Sequence, residues 1–125
     1  MAEQSEQGAG HGALDSAIAK IRESFLDRLD KNFQSLESWA DQFDRAAEDP
    51  APLGPLAAEA HKISGIAKSV GFESLGRFAK NAENAINDHL TGGKQGATPE
   101  SVLEMVDAML CEIEATIATT HGPNS

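Results

Sequence analysis

Apolar residues recur from Leu14 onward at helical steps: Leu14, Ile18, Ile21, Phe25, Leu29, Phe33, Leu36, Trp39 and Phe43 follow one another at intervals of three or four. Such spacing lines one face of a helix, and Leu26 widens the stripe. The pattern is that of one helix of about 30 residues, or of two separated by a kink. Three prolines within residues 49–55 interrupt it. Proline cannot continue a helix interior but suits a first turn, so Pro52 or Pro55 opens the next helix. That helix carries Ala60, Ile63, Ala67 and Val70 on one stripe and ends at Gly71, which can take the left-handed conformation. Phe72, Leu75, Ala79, Ala82 and Ile86, with Phe78 and Leu90 alongside, predict a third helix over about 73–90.

Residues 91–97 are rich in glycine and read as a flexible connection. Thr98, Pro99 and Glu100 then form a helix start, with a hydroxyl cap, proline at the first helical position and an acid in the first turn. Val102, Val106, Met109, Ile113 and Ile117, supported by Leu103 and Leu110, make the last stripe, which His121, Gly122 and Pro123 stop. Four amphipathic helices, none apolar all round, bury their stripes only against one another. The expected fold is all-α: an up-and-down four-helix bundle with a short N-terminal helical extension. Residues 1–12 are glycine, glutamate, glutamine and serine with almost nothing apolar and are expected to be a disordered tail. The bundle then occupies 13–120, and 121–125 form a C-terminal tail.

Composition narrows the function classes. Tyrosine is absent and aromatics make up 5% of the 125 residues, which favours helix over sheet. The single Cys111 excludes an intramolecular disulfide and a multi-cysteine metal cage, as fits a reducing cytosol. No apolar run approaches the roughly 18 to 20 residues that span a bilayer. A cytoplasmic protein that engages no membrane is therefore expected. The net charge of −10 argues against nucleic acid as a partner. The charge is unevenly spread, however. Residues 61–80 hold Lys62, Lys68, Arg77 and Lys80 against Glu73 alone, a net of +3 that leaves −13 for the remainder.

That positive patch surrounds His61. On the predicted second helix His61, Ser64, Gly65 and Lys68 fall at i, i+3, i+4 and i+7, a face separate from the apolar stripe. A mid-helix glycine costs about 1 kcal/mol relative to alanine, and bare backbone one turn from an imidazole leaves room for another molecule. Lys68 is placed to offer positive charge to an anion held there. The run Ala60, His61, Lys62, Ile63, Ser64, Gly65, followed by Ala67, Val70, Gly71, Phe72 and Leu75, resembles the histidine-containing phosphotransfer (HPt) domain of multistep phosphorelays. In that family a phosphorylatable His precedes a Gly by four residues and a helix-ending Gly by ten, as His61, Gly65 and Gly71 do.

The resemblance implies that His61 is the phosphoacceptor. The position three after the His, often Lys in the family, is Ser64 here, and Lys68 is the candidate to take over its cationic role. Family members commonly have a short first helix before a longer second, so a bend is expected before Phe25. Residues equidistant from the turn at Gly71 and Phe72 should lie level on an antiparallel pair, which sets His61 against residues 81–83. Glu83 stands where the family often has Gln or Glu, as a hydrogen-bond acceptor for the imidazole. The partners implied are response-regulator receiver domains and a hybrid histidine kinase. Lys62, Ser64, Gly65, Arg77 and Lys80 are expected at the binding face.

The chain lacks a G-x-x-x-x-G-K-[ST] loop and a glycine-rich nucleotide lid. It reads as a phosphoryl carrier without ATP-dependent kinase activity. No cofactor of its own is expected and no metal ligands gather beside His61; Mg²⁺ would come with the receiver. A bundle whose core needs no partner is expected to be a monomer. The rival reading is a helical scaffold that holds an acidic partner on the same patch with no phosphate involved. A metal site of His61, His89 and Glu83, and a general base in a pocket, are weaker alternatives.

Overall fold

The computed structural model describes residues 2–92 and 95–120, with side chains from 15 to 92 and from 95 to 119. Four helices follow in order: α1 (Ala2–Arg45), α2 (Leu53–Ser69), α3 (Glu73–Thr91) and α4 (Pro99–Thr120). Each packs on its neighbour in sequence and α4 closes the ring on α1. This is the all-α up-and-down bundle that four one-sided stripes require.

Helix α1 is continuous over 44 residues. A short first helix, set apart from a longer second, does not form as a separate element. Helical backbone also covers residues 2–12, where composition predicts disorder. No proline breaks the run there, while Gly8, Gly10 and Gly12 each disfavour helix by about 1 kcal/mol relative to alanine. The N-terminal extension is thus the start of α1 itself. Among the described side chains of α1 the first in the core is Phe25, while Ile21 remains 50% exposed. The tail at 121–125 lies outside the described residues, as do residues 93 and 94 of the glycine-rich connection.

The core is built from the expected stripes. Phe25, Leu29, Leu36 and Phe43 of α1 meet Leu56, Ala60, Ile63 and Ala67 of α2, Leu75, Ala79, Ala82 and Ile86 of α3, and Val102, Val106, Met109 and Ile113 of α4. Helix α2 begins directly after Pro52 with Pro55 in its first turn, where a missing N–H leaves no intrahelical bond unmade. It ends as the glycine foretold: Gly71 adopts φ +90°, and the Phe72 N–H donates to the Ala67 carbonyl at 2.8 Å, closing the last turn. Arg22 of α1 completes that end. Its Nε donates to the Val70 carbonyl at 2.6 Å, and its guanidinium lies 5.7 Å from the centroid of the Phe72 ring, which stacks on Phe25. At α4 the Thr98 hydroxyl accepts the Ser101 N–H at 3.1 Å, the cap predicted from Thr98, Pro99 and Glu100.

Candidate functional site

The turn at Gly71 and Phe72 folds α3 back along α2, and small residues keep the pair close. Ala60, Ala67, Ala79 and Ala82 are buried between them, and Gly76 is buried too. A Cβ at Gly76 would lie 3.0 Å from Lys68 Cγ and 3.4 Å from the Ser64 carbonyl oxygen. The missing side chain is therefore what lets α3 lie against α2 beside Ser64 and makes room for the stem of Lys68.

Ser64 itself is 6% exposed. The expectation that it shares the solvent face with His61 is corrected. Three residues along a helix turn a side chain about 60° away from the starting one, and here that rotation carries Ser64 toward α3, where Gly76 admits close approach. Lys62, Gly65 and Lys68 do stay exposed. An added Cβ at Gly65 would meet nothing within 4 Å. Packing within the bundle therefore does not call for glycine at this position.

His61 is 71% exposed at its side chain and Glu83 only 13%. His61 Nδ1 lies 2.9 Å from Glu83 Oε2, across the level that counting out from the turn predicts. An ionised carboxylate only accepts. With Glu83 ionised the ring donates from Nδ1, and in that neutral tautomer the lone pair is on Nε2, which has no described hydrogen-bond partner. The second oxygen of Glu83 is also engaged: Lys80 Nζ lies 3.4 Å from Oε1.

Arg77 is exposed, with its guanidinium 5.9 Å from the Phe78 ring centroid. Ile66 and Phe72 are half-buried against the core. Two contacts near the site were not foreseen. Glu59, two residues before His61, accepts from Arg28 at 3.2 Å and from Asn32 at 3.2 Å, tying α2 to α1. Arg28 and Asn32 stand at i and i+4 on one face of α1, a spacing that could have signalled a shared target. The capping role of Arg22 had no such signal, since it depends on where the end of α2 falls in space.

Among the described residues no three His, Cys, Asp or Glu side chains are grouped to hold a metal ion. His89 donates from Nδ1 to the Ala97 carbonyl at 2.7 Å and packs edge-on against Phe43, 5.6 Å between centroids. An open recess of about 670 Å³ lies between α1 and α4, lined in part by Glu37, Asp41, Asp44 and Asp107. In the ring of helices the α1–α4 pair lies opposite the α2–α3 pair that carries His61.

The family model of the Hpt domain matches residues 20–117, from just before Arg22 to the last half-buried apolar residue of α4, Ile117. The chain belongs to the Hpt domain family. Hpt domains are phosphotransfer intermediates of phosphorelays, and they interact with response-regulator receiver domains. Comparison with curated proteins and with solved structures finds no match. No described helix is long and apolar enough to cross a membrane.

Proposed function

We propose that this Hpt domain is a cytoplasmic, monomeric phosphoryl carrier in which His61 accepts a phosphoryl group from the aspartyl-phosphate of one receiver domain and passes it to the aspartate of another. The observation that carries this reading is the His61–Glu83 pair: an exposed imidazole bonded at Nδ1 to a largely buried carboxylate, with no described hydrogen bond at Nε2. A neutral imidazole nitrogen is a good nucleophile near neutral pH.

In the forward step the Nε2 lone pair forms the N–P bond. The acyl P–O bond breaks, and its electron pair returns to the receiver aspartate as a carboxylate. The phosphorylated ring carries positive charge, which the Glu83 carboxylate faces across the Nδ1–H bond. Donation to a second aspartate remakes a P–O bond and returns the lone pair to Nε2. Phosphoryl transfer depends mainly on positioning and charge stabilisation. Lys68 stands two turns after His61 on α2, exposed, with its stem beside Gly76 of α3. Together with Lys62, Lys80 and Arg77 it gives the docking face its positive charge. Mg²⁺ is supplied by the receiver, and the ATP-dependent step belongs to a hybrid histidine kinase upstream.

The test is incubation with a phosphorylated receiver and Mg²⁺, following acid-labile, base-stable phosphate on this chain, with His61→Gln in parallel. Label on the wild type and none on the variant is the expected result. Binding and pathway output that survive His61→Gln would instead favour a scaffold for an acidic partner.

A further inference from the structure

Both oxygens of Glu83 are in use. Oε2 holds His61 Nδ1 at 2.9 Å and Oε1 lies 3.4 Å from Lys80 Nζ. This differs from the other i,i+3 or i,i+4 ion pairs described. Lys31–Asp27 and Arg45–Asp41 join side chains that are more than half exposed at both ends, whereas Glu83 is 13% exposed. Lys placed before its Glu is also the weaker order for stabilising a helix, so helix formation alone does not account for the pair.

The remaining charges near Glu83 are committed elsewhere or point to solvent. Glu59 of α2 is held by Arg28 and Asn32 of α1, Arg77 lies over Phe78, and Lys62 and Lys68 are exposed without an ion pair among the described residues. Lys80 is the one cationic group of fixed charge in ion-pair contact with Glu83 among the described residues. A half-buried carboxylate facing an imidazole alone favours the doubly protonated ring, and an imidazolium has no lone pair with which to attack phosphorus.

We infer that Lys80 is the positioning residue of the site: its ammonium holds Glu83 Oε1 and supplies the counter-charge, so that Oε2 binds His61 as a neutral Nδ1–H donor and Nε2 stays unprotonated. The kinetic consequence rests on His61 being the phosphoacceptor, while the effect on the ring does not.

Two readouts test this and separate it from the carrier reading. The first is ¹⁵N NMR of the His61 ring at neutral pH in the wild type, Lys80→Met and Lys80→Arg. The wild type is expected to show Nδ1 protonated and Nε2 bare, Lys80→Met to shift both nitrogens toward the imidazolium pattern, and Lys80→Arg to restore the wild-type spectrum. The second is the rate of labelling by phosphoramidate, a small donor that needs no receiver. Lys80→Met should slow labelling about two- to fivefold, the range an exposed charge pair supplies, and Lys80→Arg should recover it. Unchanged ring signals in Lys80→Met overturn the inference whatever the rate, since Lys80 would then act only on the donor. A changed ring with an unchanged labelling rate overturns the kinetic consequence. A changed ring with no labelling of any form supports the role of Lys80 and counts against His61 as phosphoacceptor.

Discussion

Gly65 separates what the fold needs from what the site needs. A Cβ there meets nothing within 4 Å, and alanine is the better helix former. Gly65→Ala should therefore stabilise the bundle by about 0.5–1 kcal/mol in urea unfolding, while lowering the rate at which a phosphorylated receiver labels the chain. A stabilised variant with undiminished transfer would show that the bare backbone has no part in docking. Gly71 behaves oppositely. Its φ of +90° and the Arg22 guanidinium 3.0 Å from a prospective Cβ make Gly71→Ala destabilising by about 1–2 kcal/mol. Gly71 was legible at this scale because a glycine just past the last apolar step can end a helix, whereas His61 and Gly65 were singled out by their resemblance to the Hpt pattern. The burial of Ser64 was not legible, because a serine on a helix faces in or out according to the partner helix, and the deciding feature is Gly76 on α3.

At the level of elements, the helices were readable from apolar steps of three and four, and their ends from Pro52, Gly71 and the Thr98–Pro99 start. The pairing of α2 with α3 followed from the shortness of their link, and it brought Glu83 level with His61. What periodicity does not encode is whether a long stripe bends, since a kinked and a straight helix share the same spacing; α1 proved continuous. Nor does it encode tertiary capping. Arg22 reaches the Val70 carbonyl, the end of α2 where a cation opposes the helix dipole. Arg22→Met should lower stability by about 0.5–1 kcal/mol and, by loosening the end of α2, raise amide hydrogen exchange at Val70 and Phe72 more than at Val102 in α4. Uniform exchange across the bundle would show that Arg22 has no local hold on the turn.

Across the whole molecule, charge is polarised. Lys62, Lys68, Arg77 and Lys80 lie on the α2–α3 side, whereas Glu37, Asp41, Asp44 and Asp107 line the α1–α4 recess on the far side. If the proposed docking face is correct, a receiver presenting an acidic site would be drawn to the α2–α3 side and repelled by the other, which favours encounters that are already oriented. Association with a receiver should accordingly weaken as salt is raised, and a Lys62→Glu, Lys68→Glu pair of substitutions should lower the association rate about tenfold at low ionic strength. The same reversal in the α1–α4 recess, Asp41→Lys with Asp44→Lys, should leave the association rate within about twofold. The most direct measurement of the central claim is to phosphorylate ¹⁵N-labelled protein with a receiver and trace, by ³¹P–¹⁵N correlation, which ring nitrogen bears the phosphorus. The account predicts a single phosphohistidine at Nε2 of His61, with Nδ1 still protonated toward Glu83. Phosphorus on Nδ1, or on His11, His89 or His121, would contradict it.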